Sequence, residues 1–167
     1  MDNLKRCTLC GISKPLSEFS KHRQQKSGLS SWCKECSREK ALIFRHSPSG
    51  IYQTIKLNAN HNSHKPITIT RDEFIEWYNS QDKKCVYCDI EESNLQKIND
   101  SMNNTAWRLT VDCIDNNVGY VLDNLVLACR RCNNQKSDLF TFQEWYEIAQ
   151  KYLKPKWNKR IKDDETL

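Results

Sequence analysis

The chain has no long apolar run. Nothing in its 167 residues approaches the roughly 20 consecutive apolar positions that a membrane helix needs, so no membrane span is expected. Its opening stretch, MDNLKRCTLC, lacks the apolar centre of a signal peptide, so secretion is not expected and the chain reads as intracellular. Apolar residues of all kinds make up 38% of the sequence, thin for a self-sufficient core. Glycine and proline are scarce, four of each, and the stretch SPSG at 47–50 is the expected hinge.

Cysteine is what the chain has in quantity. Eight of nine cysteines form four C-x-x-C pairs: Cys7/Cys10, Cys33/Cys36, Cys85/Cys88 and Cys129/Cys132. Such a turn aims two thiolates at one point, about 2.3 Å from a zinc ion, and two turns complete a closed tetrahedral site of the structural kind. The 22 residues between the first two pairs suit a zinc ribbon. The 40 residues between the last two require a folded insert. Redox chemistry is the alternative, but a thioredoxin-like protein needs one pair in a βαβ setting, not four. In a chain with no sign of export, metal staples fit better than disulfides. Two zinc ions per chain are expected, and Cys113 is left over.

Charge is unevenly spread. Residues 1–65 carry 12 Lys/Arg against 4 Asp/Glu, while the rest carry 14 against 17. A basic first part beside a slightly acidic remainder suggests a docking surface for phosphates; a solvated lysine-rich face is the plainer reading.

Residues 1–36 read as a zinc module of polar turns anchored by Phe19 and Trp32, with a basic helix in CSREKALIFRH. The division expected is 1–47 for this module and helix, and 48–167 for the rest. IYQTIKLNAN reads as a short helix and KPITIT as a strand or extended entry. Two capping boxes, Thr70/Glu73 and Thr141/Glu144, open helices whose aromatic faces (Phe74, Trp77, Tyr78; then Trp145, Ile148, Ala149, Tyr152) are expected in the core. IEESNLQKINDSMNNTAW is expected as a surface loop. Pro155 should end the last helix and leave a frayed tail whose basic half is placed to touch DNA.

The insert orders as strand (RLTVDCI), loop turning at Gly119, strand (LVLA) and helix (CRRCNNQKSD). This stretch resembles the ββα-metal unit of the HNH endonucleases. The likeness extends to the lead-in YQTIKLNANHNSHKPITITRDEFIEWYNSQDKKCVYCDI and the exit DNLVLACRRCNNQKSDLFTFQEWYEI, about residues 50–153. KRCTLCGISKPLSEFSKHRQQKSGLSSWCKECSREK resembles zinc modules that precede HNH units, including those of recombination endonuclease VII-type proteins. The resemblance implies an α+β, zinc-stapled fold: a ββα-metal unit with flanking helices, plus an N-terminal zinc ribbon.

It also implies chemistry. Metal-dependent phosphodiester hydrolysis needs a hard cation on the phosphate, a base for water and tolerance of growing negative charge. Asp112 and Asn133 match the family's metal-holding positions, and both offer oxygen, as Mg²⁺ or Mn²⁺ requires. Each also has a plainer role, Asp112 capping a loop and Asn133 a helix. Asn124 matches the residue that pins the loop. Arg130, Arg131 and Lys136 are candidates for phosphate contact. Cys113 falls where the family carries its general-base histidine. Similar phage-type sequences often depart there too, commonly to arginine. A thiol near its ordinary pKa of about 8.5 is a weak base at neutral pH, unless a cation activates it. Tyr120, His46, His61 and His64 are the other groups that offer a proton acceptor. Base catalysis is worth roughly 10²–10⁴-fold, so a site without it would be slow rather than silent.

Three functions are therefore carried forward. One is an HNH-type DNA endonuclease or nickase on duplex or branched DNA. Another is a weak or inactive HNH-like nucleic-acid-binding protein serving a larger complex. The last is a zinc-stapled interaction module.

Overall fold

The structure is a computed structural model, and it describes residues 3–61, 66–98 and 108–165. The fold is α+β, as expected, and contacts divide the chain into two compact units, Met1–Ile51 and Tyr52–Leu167. Among the described residues no helix is long and apolar enough to cross a membrane.

In the first unit, β1 (Leu4–Arg6) pairs antiparallel with β2 (Ser13–Pro15), and β3 (Phe19–Lys21) with β4 (Leu29–Cys33). The stretch expected as polar turns thus holds short strands, each only three to five residues long. Alternating burial is too brief there to read from pattern alone. β4 runs into α1 (Lys34–His46). The core is Cys7, Cys33, Cys36 and Phe19, with Leu29 packed against them. Of the two expected anchors, Phe19 is buried and Trp32 is exposed. At the SPSG stretch the chain breaks for one residue. Ser47 closes α1, and its hydroxyl accepts from Gly50 N–H at 3.2 Å as α2 (Pro48–His61) begins. Pro48 opens that helix, where a missing N–H is harmless.

In the second unit, α3 (Arg71–Ser80) and α6 (Phe142–Ile148) both begin with the expected reciprocal capping boxes, Thr70 with Glu73 and Thr141 with Glu144. Each box satisfies two backbone donors that the first turn leaves open. Phe74 and Tyr78 from α3, and Trp145 from α6, are buried. A hairpin of β5 (Thr110–Cys113) and β6 (Leu125–Ala128), paired antiparallel with Asp112 opposite Val126, leads into α5 (Arg130–Lys136).

Four expectations change here. The Asn-rich stretch is not all loop: after a short turn, α4 (Leu95–Ile98) buries Leu95 and Ile98. Two apolar residues three apart are enough when a neighbouring helix covers them. The remainder, 99–107, lies outside the described residues, as does His64. Pro155 does not end the last helix. A π-helical stretch, Ala149–Leu153, closes with Lys154 N–H bonding Ala149 O, and α7 (Lys154–Glu165) restarts with Pro155 in its first turn. Proline there lacks only a donor that needs no partner. α7 is held down by buried Trp157, so this tail is helix, not fray. The same widened turn shifts the helical register, and Tyr152, expected in the core, is 59% exposed.

Candidate metal sites

Both cysteine quartets assemble. Cys7, Cys10, Cys33 and Cys36 bring their sulfurs within 4.8 Å of one another, and so do Cys85, Cys88, Cys129 and Cys132. All nine cysteines are free thiols. The two leading turns are built alike. In one, Cys7 N–H bonds Ile12 O and Gly11 N–H bonds Cys7 O, both at 2.9 Å. In the other, Cys85 N–H bonds Ile90 O at 2.9 Å and Asp89 N–H bonds Cys85 O at 3.0 Å. The second pair of each quartet sits at a helix start. Cys33 precedes α1, and Cys129 precedes α5, where its sulfur accepts from Cys132 N–H at 3.4 Å.

Four thiols this close cannot all ionise by themselves. In the first quartet, the backbone N–H of Cys10 and further backbone donors draw Cys7 down to about 6, while the neighbouring Cys33 sulfur pushes Cys36 up to about 12. In the second, sulfur contacts hold Cys85 far below the ordinary thiol range and drive Cys88 and Cys132 far above it. A dication at the centre would remove the conflict, and an S₄ donor set suits zinc. Either quartet could hold one.

The second quartet clamps the hairpin from which the remaining site is built. Asp112, buried on β5, has both oxygens engaged. Oδ1 accepts from Cys113 N–H at 2.9 Å, and Oδ2 accepts from the Tyr87 hydroxyl at 2.7 Å. Lys136 Nζ lies 3.4 Å from the same Oδ2 and donates to Cys113 O at 3.0 Å. Burial, followed by the adjacent Asp112 carboxylate, raises the Tyr87 phenol well above its usual range. Asn133, on α5, donates from Nδ2 to Thr110 Oγ1 at 3.0 Å and Val111 O at 3.2 Å. That fixes the amide and leaves Oδ1 for a ligand. It does not cap α5, because Cys129 occupies the cap.

Asn124 is buried and saturated. Its Oδ1 accepts from Asp115 N–H, and its Nδ2 donates to Asp115 O and Gly119 O, all at 2.7–2.8 Å. It therefore ties down both ends of the loop between the strands. Gly119 turns that loop at φ +83°, and a Cβ there would stand 2.4 Å from Pro66 O. Tyr120 N–H bonds Pro66 O, and Ile67 pairs with Tyr120, so the described part of the KPITIT segment, from Pro66 on, is an extended brace. Asp112, Asn116, Asn133, Asn134, Ser137 and Asp138 line an open cleft. Its rim is fixed by Asn116 Nδ2 donating to Ser137 O at 2.7 Å. Ser137 sits at φ +48°, costly for a residue with a Cβ and a form of strain often found at functional sites.

Oxygen donors, a buried carboxylate and an open cleft are chemistry that suits a hard divalent ion, and Asp112 and Asn133 are the residues that could hold one. Other expected residues fall differently. Cys113 is 2% exposed, and its thiol donates to Gly119 O at 3.5 Å rather than facing the cleft as a base. Tyr120 is half-buried; burial, then Cys113 and Asp112, raise its phenol to about 12. Arg130 is exposed, but Arg131 is half-buried with its guanidinium 5.7 Å over the Trp157 ring. Lys136, expected at a phosphate, is 1% exposed and turned inward. Nothing in the local sequence says that buried Asp112 would draw it in. Sequence reasoning missed Tyr87 and Asn116. Tyr87 stands inside the C-V-Y-C turn, where only its neighbours look functional.

No family model matches the chain. It is 40% identical over 72 residues to the uncharacterized protein R423 of Acanthamoeba polyphaga mimivirus; the match covers 43% of this chain and 11% of R423. The chain therefore spans only about a tenth of that relative. Among solved structures it is similar to the rare-cutting HNH restriction endonuclease PacI, studied for its perturbation of DNA. Identity there is 26% and the TM-score 0.58, over 93% of this chain and 97% of PacI.

Proposed function

We propose that the chain is a metal-dependent DNA endonuclease or nickase of the HNH type, acting on duplex or branched DNA and stapled by two structural zinc ions. The observation that carries this reading is the convergence of Asp112, from β5, and Asn133, from α5, on one open cleft beside a loop that Asn124 locks. The structural likeness to an HNH restriction endonuclease supports it.

In this reading Asp112 and Asn133 hold Mg²⁺ or Mn²⁺, which when bound polarises the scissile phosphate and lowers the pKa of a water. Tyr87, donating to Asp112 Oδ2, fixes the orientation of the carboxylate. Asn124 keeps the loop from relaxing, so the donors stay placed for the developing charge rather than reorganising around it. The zinc-ribbon-like module and its basic helix dock phosphates. Arg130, at the exposed start of α5, lies on the same element as Asn133 and adds a contact beside the cleft.

The second reading, a weak nuclease or nucleic-acid-binding accessory protein, is favoured by Cys113. The base position holds a buried thiol bonded to Gly119 O. A plasmid-nicking assay with Mg²⁺ or Mn²⁺ separates the two. Wild type should nick, and Asp112→Ala should lose 10²-fold or more. Nicking that survives Asp112→Ala sinks the metal assignment. No cutting by wild type, with cutting by Cys113→His, establishes the second reading.

A further inference from the structure

We infer that Lys136 is the built-in counterion of Asp112, occupying the charge position that a divalent metal takes over when it binds. The inference rests on the metal reading above and adds a residue to it.

A lysine almost never lies fully inside a protein unless it is paired. Lys136 is 1% exposed, among the largest fully buried side chains of the molecule. Its ammonium has two described partners, Cys113 O at 3.0 Å and Asp112 Oδ2 at 3.4 Å. Asp112 is itself buried, and its remaining contacts, Tyr87 and Cys113 N–H, are neutral donors. Lys136 is therefore the one described cation that compensates this carboxylate. A buried anion without a countercharge is strongly destabilising, so the site needs a positive charge whether or not metal is present.

The position of Lys136 also explains how one site satisfies both states. It lies one helical turn after Asn133 on α5, so the same helix carries a metal donor and the cation that substitutes for the metal. Its bond to Cys113 O is independent of Asp112, which leaves the ammonium with a partner when the carboxylate turns to metal. Two cations cannot share Oδ2 without repulsion, so Lys136 sets a threshold on metal affinity while holding the empty site together. Lys136 is a positioning residue in this scheme. It does not touch the reacting atoms.

The test uses zinc-loaded full chain in buffer freed of other metals, without chelator, and Mn²⁺ as the probe. Thermal unfolding and Mn²⁺ calorimetry are compared for wild type, Lys136→Met, Asp112→Asn and the double variant. Lys136→Met should lower Tm by about 10 °C without Mn²⁺. Asp112→Asn in the same chain should restore most of that loss, because the stranded charge is gone. Mn²⁺ should raise the Tm of Lys136→Met more than that of wild type and bind it roughly tenfold tighter, since a neighbouring cation has been removed. If Lys136→Met does not fold, folding of the double variant supports the pairing just as well. Failure of both to fold overturns it, because Lys136 then serves the core and not Asp112. An equal Mn²⁺ shift in wild type and Lys136→Met, absent in Asp112→Asn, overturns the exchange while leaving the metal reading intact. No Mn²⁺ binding to any variant overturns the metal reading itself.

Discussion

The two cysteine quartets share a turn and differ in what surrounds it. In the first unit three of the quartet's cysteines, Cys7, Cys33 and Cys36, make up most of the core cluster, with Phe19 buried among them. In the second, the quartet borders an apolar interior that includes Phe74, Tyr87, Leu95, Ile98, Leu109 and Trp157. A 51-residue unit whose centre is mostly sulfur has little apolar burial to set against chain entropy. Metal is its core. In the second unit a metal ion would act as a clip, holding the β5–β6 hairpin against α5 while other contacts keep the helices.

The largest expected effect follows from that contrast. Structural zinc contributes about 10–16 kcal/mol of apparent binding free energy, which in a small unit is folding free energy. Cys7→Ser with Cys33→Ser should leave residues 1–51 unfolded and cut by trypsin within minutes, with 52–167 resistant. Cys129→Ser should open β5, β6 and α5 while α3, α6 and α7 stay protected in hydrogen exchange. Equal collapse of both units in their respective variants would erase the distinction between core and clip.

A middle-sized effect tests it through apolar residues. Phe19→Ala and Leu95→Ala each remove a buried side chain, at about 3–5 and 2–5 kcal/mol. In the first unit that loss should appear as weaker zinc binding, because folding and metal binding are one event there. In the second it should lower Tm with zinc retained. A competition titration with a chromophoric zinc chelator measures the difference, and release of zinc by both variants alike would contradict it.

The contrast also explains what the sequence disclosed. Both quartets were legible because thiolate geometry is local and spacing-limited. So were the capping boxes and the β5–β6–α5 order, each set by a few adjacent residues. In the second unit, what failed to show depends on contacts between residues far apart in the chain. Leu95 and Ile98 look like part of an Asn-rich loop until α7 covers them. Pro155 reads as a stop until a π-turn removes the need for its N–H. Lys136 and Arg131 read as surface charges until Asp112 and Trp157 supply partners. At the candidate site, Asp112, Asn124 and Asn133 were identifiable by position, whereas Tyr87 was not, because only the folded turn brings it to Asp112.

The smallest effect lies in the turns themselves. Gly11 takes its left-handed conformation, φ +72°, with no Cβ to strain it. Asp89 takes the equivalent place at φ +59° and carries a side chain. That side chain is bonded: Lys154 Nζ at 2.6 Å and Gln150 Nε2 at 3.0 Å both donate to its Oδ2, tying the turn to the C-terminal helices. Burial works to raise the Asp89 carboxyl, but Lys154, Gln150 and Lys84 outweigh it and hold it below the usual range. A lowered carboxyl pKa gives stability that is present above the unfolded value, near 4, and is lost as pH falls through the folded one. Asp89→Asn should therefore cost up to about 1 kcal/mol at pH 7, since Lys154 is partly exposed and the pair is screened. The gap from wild type should narrow in high salt and close as pH drops below about 4. Zinc loss in acid affects both proteins, so the difference between their denaturation curves isolates Asp89. Gly11→Ala, by contrast, should cost about 1–2 kcal/mol at every pH, because its penalty is steric. An Asp89→Asn gap that ignores both salt and pH would mean that this residue, like Gly11, is there for its backbone alone.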